Sequence, residues 1–415
     1  MWRPAMAELT IEISSGQQGA QPIAIVPFAQ DPAAGLDVAA VVAEDLARSG
    51  EFAPLPRGDL LARPSEAAAV NFRDWRALGV NNLVIGRVRR EGDRFLVQFQ
   101  LLDVFRGNQI AGYSLPARAG QLRQAAHYVA DRIYEALTGV RGVFQTRIAY
   151  VTVSGAGAQR DYELQVADAD GHAPQTIVRS REPLMSPAWS PDGRRIAYVS
   201  FENRRAAVYV QTLATGARQR VAAFPGINGA PAWSPDGRRL ALALSRDGNP
   251  EIYVLHLADG RLDRITRNPA IDTEPVWTPD GRSLLFTSDR GGGPQIYEIP
   301  VAGGRAQRVS FEGGYNASPD ISPDGRRVAM VHRTRDGAYR IAVLDRERGI
   351  LRVVSDGRLD ESPSFAPNGR MLLYATEAGG RGVLAAAAVD GRVAQRLRFQ
   401  SGDVREPAWS PFAAQ

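Results

Sequence analysis

SPAWSPDGRRIAY, residues 186–198, returns as APAWSPDGRRLAL at 230–242 and EPVWTPDGRSLLF at 274–286. It continues as SPDISPDGRRVAM at 318–330 and SPSFAPNGRMLLY at 362–374, and ends as EPAWSPFAAQ at 406–415. The first proline of each copy, from Pro187 through Pro231, Pro275, Pro319 and Pro363 to Pro407, advances by 44 residues every time. A period of this length with strand-like content predicts a β-propeller. Each copy supplies the parts of one blade. Pro-Ala-Trp-Ser is a short innermost strand. Ser-Pro-Asp-Gly is a tight turn, with Pro fixing φ and Gly accepting a positive one. Arg-Ile-Ala-Tyr-Val is a second strand buried on both faces. Third strands are expected at 207–213, 251–257 and 295–301, with Gly216, Gly260 and Gly304 turning the chain into the fourth.

The ends of the repeat fix its closure. Arg147 to Val151 nearly copies Arg195 to Val199, a second strand with no first strand before it. The last copy, Pro407 to Pro411, is a first strand with nothing after it. The two complement one another, so the C-terminal strand should close the blade begun at residue 147, giving six blades over 147–411 and no free ring edge.

Residues 8–140 do not repeat and read as an α/β domain of two helices on a mixed sheet, joined to the propeller by a linker at 141–146. Ile23 to Val26, Leu83 to Gly86, Phe95 to Leu102 and Ile110 to Leu115 suit strands. Val38, Val42 and Leu46 mark one helix, and Leu122, Ala126, Val129, Ile133 and Leu137 mark a second over 120–138. Leu9 to Ile13 alternates apolar and polar, so an arm at 8–14 is expected to be a strand that either docks on its own domain or adds to a partner's sheet.

Composition excludes several function classes. The chain has no cysteine, so disulfides and thiolate metal sites are absent. Every one of its 50 basic residues is Arg, a usage expected of a GC-rich genome. A net charge of +5 over 415 residues does not point to nucleic acid. No apolar run is long enough to span a membrane. Ala5-Met6-Ala7 has the form of a signal-peptidase site ahead of Glu8, but the apolar core that should precede such a site is missing, so an exported, trimmed origin and a chance match both stay open on this tripeptide alone. No nucleophile elbow, P-loop or His-Glu-x-x-His occurs. His127, His172, His256 and His332 are scattered, and the expectation is no catalytic residue, no metal and no cofactor.

Three recurrent features carry the choice between binding and packing. Trp189, Trp233, Trp277 and Trp409, with Ile321 and Phe365 in register, suit packing between blades better than an aromatic binding ring. Asp192, Asp236, Asp280 and Asp324, with Asn368, suit turn chemistry better than a cation ring. The loops entering the innermost strands differ from the rest of the chain: they hold nine acids, among them Asp272, Glu274, Asp360, Glu361 and Glu406, against four arginines. That local excess predicts an acidic channel mouth, suited to a basic or mixed protein surface.

The repeated WSPDG phrase, the strand PIAIVPF at 22–28 and the TRIAYV entry at 146–151 together resemble the TolB family, periplasmic components of the Tol–Pal envelope system of Gram-negative bacteria. The likeness runs from Leu9 to Pro411. It implies a non-enzymatic adaptor, monomeric on its own, that supports envelope integrity and constriction at division. It implies that the peptidoglycan-associated lipoprotein, Pal, docks at the channel mouth, on Met185, Ser186, Asn228, Gly229, Ala230, Thr273 and Glu274. It also implies that TolA, an inner-membrane protein, engages the arm formed by Glu8, Leu9, Thr10, Ile11, Glu12, Ile13 and Ser14, with the arm's exposure coupled to Pal. Ile227 stands where enterobacterial relatives have histidine, so a bacteriocin that imitates Pal would meet an altered surface here. A subunit of a peptidase complex and a glycan-binding propeller are the other readings open at this point.

Overall fold

The computed structural model describes residues 10–13, 19–398 and 402–413. The chain forms two compact units. One spans Ser15–Gln145, and the other combines the N-terminal segment to Ser14 with Thr146–Gln415.

The first unit is the α/β domain. Its sheet runs Phe52–Pro54, Gln21–Ile25, Asn82–Glu91, Arg94–Asp103, Asn108–Arg118, parallel across the first three strands and antiparallel across the last. Helices α1 (Val38–Arg48) and α3 (Leu122–Thr138) cover one face, and the short α2 (Phe72–Ala77), unmarked by any periodicity, seals part of the other through buried Trp75. Asp37 caps α1 by accepting from Ala40 N–H, and Gly139 ends α3 in the left-handed region. The 141–146 stretch is no bare linker at its centre: Phe144 is buried in this unit's core and its N–H donates to Asp131. His127 is buried as well, 2.6 Å from the Asp45 carboxylate that also holds Arg48, a pairing that sequence spacing does not reveal across 82 positions.

The second unit is the six-bladed propeller. Five blades begin with an innermost strand, Leu184–Trp189, Asn228–Trp233, Asp272–Trp277, Asn316–Ile321 or Glu361–Phe365, and run outward through three more. The remaining blade, counted as the first, starts at Arg147–Ser154 and takes Asp403–Trp409 as its innermost strand. The ring closes as its ends require. The arm does not dock on the α/β domain: Thr10–Ile13 pairs antiparallel with Ala394–Arg398 and becomes a fifth, outermost strand of blade six. Its assignment to the α/β domain is therefore corrected. A strand at the rim of a blade has an open edge of unpaired N–H and C=O groups, and the alternating arm satisfies it. Glu8, Leu9 and Ser14 lie outside the described residues.

What joins the blades bears on the mouth. Trp189, Trp233 and Trp277 are buried, and each indole N–H donates across a seam to the carbonyl of Ala408, Ala188 or Ala232 at 3.0–3.1 Å. The guanidinium of Arg147, Arg195 or Arg239 stacks on the same three rings at 4.5–4.9 Å. The tryptophans are seam staples, not a binding ring. Two seams lack the indole because the incoming residue is Ile321 or Phe365. A carboxylate crosses at both, where Glu274 accepts from Ser318 N–H at 2.7 Å and Asp320 accepts from Phe365 N–H at 2.6 Å, and the first seam has an indole and a carboxylate together, since Glu406 accepts from Ser186 N–H. The turn aspartates face inward on their own loops. Asp192, for example, accepts from Ser190 Oγ and from Arg194 N–H.

Candidate functional site

The residue before each repeated proline decides the shape of the mouth. Ser186, Ala230, Glu274, Ser318, Ser362 and Glu406 all have φ between 46° and 54°, although none is glycine. Each sits in a β-bulge, where the innermost strand slips register against the second. A left-handed residue that is not glycine costs on the order of 1 kcal/mol, and six at one level mark a feature that the surrounding ring holds in place. These six side chains line a channel cavity of about 440 Å³ together with the prolines and Asp320. An adjoining cavity of about 410 Å³ opens toward the entry loops and adds Met185, Tyr315, Tyr339, Leu359 and Glu361.

Three residues before four of the six prolines, a buried polar side chain anchors the entry loop, while Leu184 and Val404 hold the other two places. Asn228 grips the backbone of Phe224 through N–H and C=O at 2.8 and 2.7 Å. Asp272 pairs with Arg290 at 2.6 Å, Asn316 holds His332 and the Glu312 carbonyl at 2.8 Å, and Asp360 accepts from Ser355 and Gly357. Asp272 and Asp360, counted by sequence among the acids of the mouth, are thus turned into their loops. Burial pushes both carboxyls above the usual carboxylate range.

Four residues before the same four prolines, the side chain is large and apolar or aromatic. Ile227 and Ile271 are each 50% exposed and Leu359 is 45% exposed, with Tyr315 at the fourth such place. Met185, 39% exposed, joins Leu359 in the lining of the outer cavity. The mouth is therefore an apolar belt around a throat that carries Glu274, Glu361, Glu406 and Asp320. Sequence analysis missed the belt. The 44-residue register of Ile227, Ile271, Tyr315 and Leu359 is the signal that could have found it.

Of the residues proposed for docking, Met185 stands in the belt, and Ser186, Ala230 and Glu274 face the channel. Gly229 and Thr273 are half-buried beside them. Asn228 is only 1% exposed and is a loop anchor. The Glu274 carboxylate is occupied by Ser318 N–H, Ser318 Oγ and Thr287 Oγ1, so it shapes the throat as much as it charges it.

Two throat carboxyls are electrostatically unusual. Burial in the channel wall pushes Asp320 up to about 6 against the pull of two backbone N–H groups, from Phe365 and Ile321. Burial also raises Glu406, which accepts from Ser186 N–H across the first seam. A group whose folded-state value is raised contributes stability that is complete below its ordinary value and lost as pH rises through the folded one. The chain should therefore gain roughly 1 kcal/mol from Asp320 between pH 7 and pH 5. Asp320→Asn should remove that share of the gain in urea midpoints measured at the two pH values. An unchanged pH response would mean that Asp320 titrates as an ordinary carboxylate.

Comparison with known proteins adds to this geometry. The family model described as TolB beta propeller domain matches residues 134–413, and the one described as TolB amino-terminal domain matches residues 9–110. The chain is 58% identical over 228 residues to the Tol-Pal system protein TolB of Thioalkalivibrio sulfidiphilus and 59% identical over 227 to that of Nitrosococcus oceani. Each match covers 54% of this chain and 52% of the relative, so the chain spans about half the length of those relatives. The crystal structure of TolB from Acinetobacter baumannii superposes with a TM-score of 0.91 at 43% identity, covering 98% of this chain and all of that one.

Proposed function

The chain belongs to the TolB family of Tol–Pal system proteins, and on that footing we propose that it is a non-enzymatic periplasmic adaptor that docks Pal on its channel mouth. The observation that carries this reading is the exposed belt of Ile227, Ile271, Leu359 and Met185 around an acidic throat. Large exposed apolar side chains gathered in one place mark a protein interface. An apolar rim over a concave charged centre gives a partner both burial and register. The loops that bear the belt are held by buried Asn228, Asp272, Asn316 and Asp360, so the surface is preorganised and little ordering cost falls on binding. Titration of the soluble domain of Pal against the intact chain tests the reading, and one-to-one binding is the expected result.

The arm is proposed to engage TolA, linking Pal at the outer membrane to the inner membrane in support of envelope integrity and constriction. Support comes from its pairing: Thr10–Ile13 is the terminal strand of a five-stranded sheet, and among the described residues no strand lies on its other side. A partner strand can add there or replace the blade-six edge. Deleting residues 8–14 should abolish TolA binding and leave Pal binding within about twofold, since the arm and the mouth share no residue. TolA binding that survives the deletion would remove the arm from the account.

A further inference from the structure

The docking reading says where a partner sits, and the chemistry of the mouth also says what that partner brings. Glu274, Asp320, Glu361 and Glu406 line the two adjoining cavities, and among the described residues neither cavity wall contains an arginine or a histidine. This is a marked local departure on a chain of net charge +5. The walls between the carboxylates are Pro, Ala, Val and Trp with five serines, so the carboxylates are the only charged groups of this lining. Beside them the outer cavity has an aromatic corner: Tyr315 and Tyr339 meet edge to face with centroids 5.1 Å apart. Tyr339 already has the Arg333 guanidinium 5.9 Å from its ring centre.

Aromatic faces next to carboxylates are the surroundings an organic cation prefers. An inorganic ion needs oxygens gathered around one point. Among the described residues the throat carboxylates do not supply three ligand atoms within 4.8 Å of one another. The belt of Ile227, Ile271, Leu359 and Met185 at the rim calls for apolar neighbours on the docked segment.

We propose that the mouth takes a partner segment with one basic side chain flanked by apolar residues, its guanidinium or ammonium seated in the outer cavity against Tyr315 and Tyr339 and between Glu361 and Glu406. The inference rests on the docking reading and names the feature that the docked protein must carry. The apolar flanks cover the belt and supply most of the burial, while the cation neutralises the throat and fixes the register. Positive charge there also favours the ionised form of Asp320, so binding should release protons near pH 6.

The test is a double-mutant cycle with the intact chain and the soluble domain of Pal. Glu361→Gln should weaken binding five- to tenfold. Exchange of one Arg or Lys on Pal for Gln should weaken it as much, and the two changes together should cost little more than either alone. Pal that binds the wild type with no Arg or Lys coupled to Glu361 overturns the cation and leaves the docking reading standing. Failure of Pal to bind removes the docking reading, and a second probe then tests the throat by itself. Acetyl-Leu-Arg-Leu-amide should shift the amide resonances of Ser186 and Ser318 saturably in the wild type and not in Glu361→Gln, while acetyl-Leu-Gln-Leu-amide should not shift them. Equal responses to both peptides, or none to either, overturn the proposal. So does magnesium or calcium chloride that shifts the same amides and excludes the arginine peptide.

Discussion

A chain ending at Gly402 should lose the cooperative unfolding of the propeller. The strand Asp403–Trp409 is the only innermost strand of blade one and pairs along Arg147–Ser154. Its removal takes away the carbonyl of Ala408 that receives the Trp189 indole, the Glu406 carboxylate that receives Ser186 N–H, and the Ser410 hydroxyl that receives Arg147 N–H at 2.9 Å. It also takes Trp409, whose own indole donates to Thr146 at 2.8 Å. Losing one large aromatic from a packed position costs about 3–5 kcal/mol, against a total stability of about 5–15 kcal/mol for a typical domain. The strand contributes several such contacts at once and leaves the edge of Arg147–Ser154 open to aggregation. Calorimetric scans should show a broad, low-enthalpy transition in place of a sharp one, and a peptide of residues 403–413 added in trans should restore part of the sharp transition. An unfolding midpoint equal to that of the full chain would show that the ring does not depend on its closing strand.

The second large effect is expected at the mouth. Ile271→Asp combined with Leu359→Asp places two carboxylates in the apolar belt, on the entry loops of blades four and six. Both positions are about half exposed, so the folded chain accommodates the change at little cost. A docked partner does not: each aspartate must be desolvated against an apolar surface and adds negative charge to a throat that already holds four carboxylates. A loss of at least 2 kcal/mol, about thirtyfold in affinity, is expected from hot-spot positions of this kind. Surface plasmon resonance against immobilised Pal measures it, with thermal midpoints as the control for folding.

The 44-residue phrase made the propeller, its blade count and its closure readable, because turn chemistry and strand alternation are local and repeat in register. The α/β domain was legible from Val38, Val42 and Leu46 and from the stripe ending at Leu137 for the same reason. The seams were legible only in part. Trp189, Trp233 and Trp277 could be assigned to packing, but nothing local says that Glu274 and Asp320 accept backbone N–H groups from the next blade. Those bonds cross a seam between residues 44 or 45 positions apart. The mouth was read from charge, and charge misled at Asp272 and Asp360, whose carboxylates the loops consume internally. The apolar belt escaped notice because its members are single residues in loops of different sequence. Their common position became meaningful once the bulges at Ser186, Ala230, Glu274, Ser318, Ser362 and Glu406 set the level of the throat. The arm's alternation predicted a strand, and which edge it meets depended on blade six, nearly 400 residues away.

The central claim is that this chain docks Pal by the belt and throat of its channel mouth. Isothermal titration of the soluble domain of Pal from the same organism into the wild type and into Ile271→Asp/Leu359→Asp tests it most directly. One-to-one binding by the wild type, lost in a variant with an unchanged unfolding midpoint, is the predicted result. Equal binding by both proteins, or none by the wild type, would contradict it.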